Sequence, residues 1–223
     1  MKKKEKKTKI SIVLNILIFI LTLIATIIMF TGFQFMHGEK VLESTKLGMF
    51  KFYTVDSNIF MGLSALIFAL NEIGILKGRL KKIPESIYTI KLAGTVGVTL
   101  TFLVVFCYLG IIAEGGILSL LMNSNLFFHL IIPLLSIISF IFFEKAKEIK
   151  LRQTLLALIP TMTYMLFYII NILIHTENYK VSPVYDWYWF VQGGVKTAFI
   201  VAPLMLAITY IISYALFKLN KEK

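Results

Sequence analysis

Charge is scarce in this chain: Asp, Glu, Lys and Arg make up 16% of its 223 residues, while 58% are hydrophobic. A soluble domain carries roughly 25% charged residues to hydrate its surface, so this composition excludes one and points to an integral membrane protein. Cysteine is nearly absent. The single Cys107 excludes a disulfide framework and a paired-cysteine metal site, and within an apolar span its expected role is packing. The three histidines and the carboxylates show no HExxH-like spacing, so no metal is expected. Gly193-Gly194 follows aromatic residues rather than a strand, which argues against a nucleotide loop, and no cofactor is expected. There is also no evident internal repeat or low-complexity segment, which weakens the case for an inverted-repeat transporter.

What the chain does have is long apolar runs. About 20 residues are needed to cross about 30 Å of hydrocarbon. Six such spans can be laid down, at 10–33, 55–76, 87–112, 126–143, 154–174 and 197–217. They consume most of 1–223, so a single six-helix transmembrane domain is expected. Lipid cannot satisfy backbone N–H and C=O groups, and no run alternates as a membrane barrel strand does. The predicted fold class is therefore all-α. Span 1 exceeds a signal-peptide core and lacks a small-x-small cleavage site, so it is read as a membrane helix. Small residues in Ala93-Gly-Thr-Val-Gly97 predict close helix approach. Pro133, Pro160 and Pro203 fall inside spans, where freed carbonyls need other partners.

The net charge of +11 is not a nucleic-acid footprint, because the basic residues sit in short blocks flanking the spans. These blocks are Lys2–Lys9, Lys77–Lys82, Glu144–Arg152 and Lys218–Lys223. They alternate with connections poor in net positive charge at 34–54, 113–125 and 175–196. The positive-inside rule then puts both termini in the cytoplasm and the basic blocks against an anionic leaflet. High Lys and Ile usage fits a prokaryotic cytoplasmic membrane. No nucleic-acid partner is expected.

His129 is the one histidine inside an uninterrupted apolar span, and an ionisable group there is by default a candidate functional residue that needs a partner. Spans 2 and 4 both run from outside to inside. Thr54, at the start of span 2, and His129, about one turn into span 4, therefore fall at one depth on parallel helices. In Phe52-Tyr-Thr-Val-Asp-Ser-Asn58, helical spacing puts Ser57 and Asn58 on the face of Thr54 and turns Asp56 elsewhere. A hydroxyl, an amide and an imidazole in that arrangement suit acyl transfer, since threonine is a weak nucleophile that needs an adjacent base. Asn125, four residues before His129, is placed to orient the imidazole or to support an oxyanion. The alternative for Thr54–Asn58 is a polar-capped helix N-terminus, and for His129 a hydrogen bond between helices.

Glu72 and Lys91, near the inner ends of consecutive helices, are expected to pair or to reach water. His37 and His175 lie in outside loops and are expected to be solvated. The last outside loop, with Trp187, Trp189 and several tyrosines, reads either as an interfacial aromatic belt or as a lid over an outward-facing site.

These residues resemble the androgen-induced, six-helix membrane hydrolases that cleave fatty acid esters of hydroxy fatty acids, together with their bacterial relatives. The resemblance lies in Phe52-Tyr-Thr-Val-Asp-Ser-Asn58, in Asn125-Leu-Phe-Phe-His-Leu-Ile-Ile-Pro133 and in Pro183-Val-Tyr-Asp186. It implies an intramembrane threonine nucleophile with a histidine, which map onto Thr54 and His129. The expectation is an intramembrane hydrolase acting on a membrane lipid or fatty acid ester, with Asn58, Asn125 and Ser57 as polar support. Two other classes stand beside it. One is a small-molecule or lipid transporter or sensor with Glu72, Lys91 and His129 along a polar path; the other is a structural membrane subunit.

Overall fold

The computed structural model describes residues 2–37, 42–145, 149–178, 180–182, 184–191 and 194–221. Six helices dominate: α1 (Lys2–Thr31), α2 (Tyr53–Leu76), α3 (Glu85–Ile112), α4 (Ser124–Phe143), α5 (Arg152–Ile174) and α6 (Ala198–Asn220). Each is long and apolar enough to cross a membrane. The chain is an all-α, multi-pass membrane protein, and the six helices coincide with the six expected spans to within a few residues at most ends. The largest difference is α1, which continues through the basic block, where Lys9 and Glu5 pair at 2.7 Å across one helical turn. Among the described residues, the one β-structure is a two-stranded antiparallel ribbon, β1 (Thr176–Glu177) and β2 (Lys180–Val181), in the last connection.

Lipid offers no hydrophobic drive between helices, so close packing and interhelical hydrogen bonds hold such a bundle together. The small residues of α3 serve the first. A Cβ on Gly94 would lie 2.7 Å from Ser64 Oγ, and one on Gly97 would lie 3.1 Å from the Tyr53 hydroxyl, so the N-terminal half of α2 can press against α3 only because both are glycine. Gly62 does the same for α1, where a Cβ would meet Thr22 at 2.8 Å. The central helix is α3, the most buried of the six. The outer faces of α1, α5 and α6 show side chains such as Val13, Phe167 and Ile211 to the surroundings, as a lipid-facing surface requires.

Two of the three prolines inside the spans sit where the helix is already interrupted. In α4 a π-turn over Phe127–Ile131 immediately precedes the turn containing Pro133, so the ladder is already widened where the proline lacks its N–H. In α5 the helix breaks at Ala157–Leu158 and restarts at Ile159, leaving Pro160 in a first turn, where no N–H is needed. Pro203 lies inside α6.

At one end of the bundle, the connections between α1 and α2, α3 and α4, and α5 and α6 come together. Asn123, in the left-handed region at φ 50°, accepts the amides of Phe35 and Met36 at 2.9 Å each and so ties the first of these connections to the second. At the opposite end the tail of α6 is fastened to α4, with the Asn220 amide donating to the Phe140 carbonyl at 2.6 Å.

Candidate functional site

A cavity with about 750 Å³ of empty space, part of it open to the surroundings, lies among α3, α5 and α6. Its long wall is apolar, formed by residues such as Leu100, Val104, Ile172 and Met205. The α5 and α6 side is built of half-buried residues, including Met165, Val201 and Ala202, so it communicates with the bundle surroundings there. The cavity surface is almost wholly apolar, although hydroxyl-bearing residues, Tyr53, Thr54, Thr101, Thr161, Tyr164, Tyr168 and Tyr188, are among those that line it. An apolar slot with a few convergent polar groups is the usual form of a small-ligand site.

Thr54 is the second residue of α2 and is 7% exposed. The cap of α2 is Phe52, with no side-chain hydrogen bond, so the polar run that follows does not serve as an N-cap. Instead it turns inward. Ser57 Oγ donates to the Thr54 carbonyl at 3.2 Å and lies 3.2 Å from Thr101 Oγ1 on α3. Asn58 is fully buried, and its amide donates to the Thr54 carbonyl at 2.7 Å and to the Phe128 carbonyl of α4 at 3.1 Å. One nitrogen thus clips the first turn of α2 to the residue before His129. Asp56 is only half-buried, as its helical position predicted.

His129 is 1% exposed and belongs to the π-turn of α4. Its Nδ1 lies 2.6 Å from the Leu120 carbonyl. A carbonyl has no proton to give, so Nδ1 carries the hydrogen, and in the neutral ring Nε2 keeps a free lone pair. Asn125 is likewise buried, and the group that holds Nδ1 of the imidazole is the Leu120 carbonyl. Neither His129 nor Asn125 lines the cavity, and among the described residues no hydrogen bond joins His129 to Thr54.

No family model, curated protein or solved structure matches this chain.

The last connection closes one end of the cavity. Asp186, 4% exposed, accepts the Phe190 and Val191 amides at 3.0 Å each and the Tyr168 hydroxyl, which pins the loop to α5. Trp187 Nε1 donates to the Tyr164 hydroxyl at 3.1 Å, and that hydroxyl donates to the Lys51 carbonyl. The loop is thus more than an aromatic belt, since Tyr188 and Val191 are buried as cavity wall. Pro183 and Gly193, which the sequence singled out, lie outside the described residues. Tyr188, Tyr53 and Thr161 belong to the cavity but carry no sequence signal beyond aromatic or hydroxyl content. Only the return of the loop over α5 brings Tyr188 to Thr54.

A second polar cluster lies deep among α1, α2, α3 and α4, near the end that carries the termini. Lys91 Nζ and Glu144 Oε1 are 3.3 Å apart with both side chains fully buried. Asn15 donates to that Oε1 at 2.8 Å, Ser139 donates to it at 2.5 Å, and Lys91 donates to Asn15 Oδ1. The expected partner of Lys91 was Glu72. Here α4 runs back beside α3 and brings Glu144 to the depth of the ammonium, while Glu72 faces the same cluster from α2. Among the described residues no three His, Cys, Asp or Glu side chains gather as metal ligands.

Proposed function

We propose that this protein is an intramembrane hydrolase of lipid esters, with Thr54 as nucleophile and His129 as base. The observation that carries the proposal is the cavity: an apolar slot among α3, α5 and α6 with a threonine hydroxyl-bearing turn in its wall. An acyl chain fits the slot, and the ester carbonyl then meets Thr54. The resemblance to the androgen-induced hydrolases supports the same pair. Topology adds the setting, with both termini cytoplasmic, the site toward the outer leaflet and a prokaryotic cytoplasmic membrane around it.

In the reaction, Thr54 Oγ1 attacks the carbonyl carbon while its proton passes, through one bridging water, to His129 Nε2. The carbonyl π pair moves to oxygen. Collapse of the tetrahedral intermediate expels the alcohol, which takes the proton from His129, and water then cleaves the acyl-threonine by the same route in reverse. Ser57 and Asn58 hold the Thr54 carbonyl and so fix the turn that presents the hydroxyl. Asn125 is a further buried amide beside the π-turn, in a supporting role.

The test is labelling of purified protein with a lipophilic fluorophosphonate, alongside hydrolysis of a long-chain p-nitrophenyl ester. Wild type is expected to label and turn over, and Thr54→Ala to do neither while remaining folded. An unchanged rate in Thr54→Ala overturns the mechanism.

The buried Lys91–Glu144 pair favours a second reading, a small-molecule or lipid transporter or sensor, because intramembrane charges commonly mark transport paths. It requires substrate movement that depends on Glu72 or Lys91 and survives loss of Thr54.

A further inference from the structure

Tyr188 presents a chemical contradiction. Its side chain is 5% exposed and forms part of the cavity wall, yet its hydroxyl has no hydrogen-bond partner of ordinary geometry. Thr54 and Tyr164 stand beside that hydroxyl without engaging it well. A buried polar group left unpaired costs about 1–3 kcal/mol, so such groups are rare and call for an explanation.

The surroundings are built to keep it there. Asp186 gathers the amides of Phe190 and Val191 directly after Tyr188, and Tyr168 holds Asp186 from α5. Trp189, the next residue, sits in the left-handed region at φ 57°, which a bulky aromatic adopts only when its neighbours impose it. Packing against Phe52, Tyr168 and Phe190, with ring centroids 5.4–6.3 Å apart, fixes the direction of the Tyr188 ring. Strain and anchoring together hold an unpaired donor in the wall of the cavity, beside a threonine.

The geometry points to Tyr188 as the catalytic residue that donates a hydrogen bond to the substrate's carbonyl oxygen. This assignment rests on the hydrolase proposal above. As Thr54 Oγ1 bonds to the carbonyl carbon, the C=O π pair moves onto oxygen, and the developing oxyanion accepts the Tyr188 O–H. The proton stays on tyrosine throughout; when the C–O bond to the alcohol breaks, the pair returns and the hydrogen bond weakens. Preorganised donors aimed at developing charge commonly supply the largest electrostatic contribution in acyl transfer. Burial also pushes the phenol up to about 12, so the donor keeps its proton at working pH.

The experiment compares wild type with Tyr188→Phe on a long-chain ester and on its thionoester, in which sulfur replaces the carbonyl oxygen and accepts hydrogen bonds poorly. Loss of one oxyanion donor lowers kcat by about 10²- to 10³-fold. The expected result is a kcat loss of that order on the oxo ester, little change in KM, and a much smaller loss on the thionoester, so the oxo-to-thiono ratio collapses. Equal losses on both esters, or no loss, overturn the assignment. Wild type provides a second check that does not depend on the variant: a ratio equal to that of uncatalysed hydrolysis also overturns it. If wild type neither hydrolyses esters nor labels at Thr54, the hydrolase proposal falls and takes this assignment with it. If turnover and Thr54 labelling stand while the ratio in Tyr188→Phe matches wild type, this assignment falls alone.

Discussion

His129 Nδ1 lies 2.6 Å from the carbonyl oxygen of Leu120. That contact selects one tautomer of a ring buried in the bundle and leaves Nε2 as the only nitrogen able to take a proton. The tautomer is thus set by a backbone carbonyl nine residues upstream in the chain.

If His129 is the base, His129→Ala lowers ester turnover by about 10²- to 10⁴-fold, the usual contribution of a positioned general base. It also strands the Leu120 carbonyl, costing about 1–3 kcal/mol. Turnover of the long-chain ester and thermal unfolding of the same sample separate the two effects. A wild-type rate in the folded variant removes His129 from the mechanism.

Asn58 joins α2 to α4 through a single amide nitrogen. Asn58→Ala leaves two buried carbonyls short of a donor and is expected to destabilise the protein by about 1–3 kcal/mol. Activity per folded molecule falls as well, because the turns carrying Thr54 and His129 lose their common tie. Asn58→Asp, which keeps the shape but loses the donor, is expected to behave like the alanine variant. Denaturation midpoints and specific activity together check this.

Gly62 lies where α2 meets Thr22 of α1, and a methyl group there would sit 2.8 Å from Thr22 Cβ. Gly62→Ala is expected to cost about 1–3 kcal/mol through overpacking. Pairing it with Thr22→Ala, which removes two of the three clashing atoms, Oγ1 and Cγ2, should recover part of the loss. A double-mutant cycle on thermal stability measures the coupling.

Removing one partner of the buried Lys91–Glu144 pair strands the other charge, so Lys91→Met alone is expected to cost about 3–5 kcal/mol. Lys91→Met combined with Glu144→Gln is expected to be closer to wild type. Ester turnover per folded molecule stays near wild type in the double variant if the cluster is structural. Loss of a transport activity instead would favour the second reading.

The Tyr188 phenol, pushed by burial from 10.0 to about 12, remains protonated in the folded protein where the unfolded chain loses the proton. Between those values the folded state binds more protons than the unfolded state, so stability falls as pH rises. The contribution is fully present below about pH 10 and lost as pH rises through about 12. Tyr188→Phe removes it, and its unfolding midpoint therefore drops less between about pH 9 and pH 11 than that of wild type.

Much of this architecture was legible in the chain because hydrocarbon permits so few structures. Six apolar runs became six helices, and the glycines of α3 became contacts with α2, since only small residues let two backbones approach that closely. Ser57 and Asn58 share the buried face of Thr54 because four-residue spacing holds in the regular α-helix that begins at Tyr53. Lys91 meets Glu144 and not Glu72, because pairing across helices depends on how α4 returns beside α3.

The sequence by itself determined the class, a six-helix membrane protein, because span length and helical period are local properties of the chain. The tertiary structure alone decided which groups face one another. It opened the cavity among α3, α5 and α6, set the Leu120 carbonyl on His129, and folded the last connection so that Tyr188 ends beside Thr54. Those relationships depend on helix packing and on loop paths that join residues far apart in the chain, and no local period encodes them.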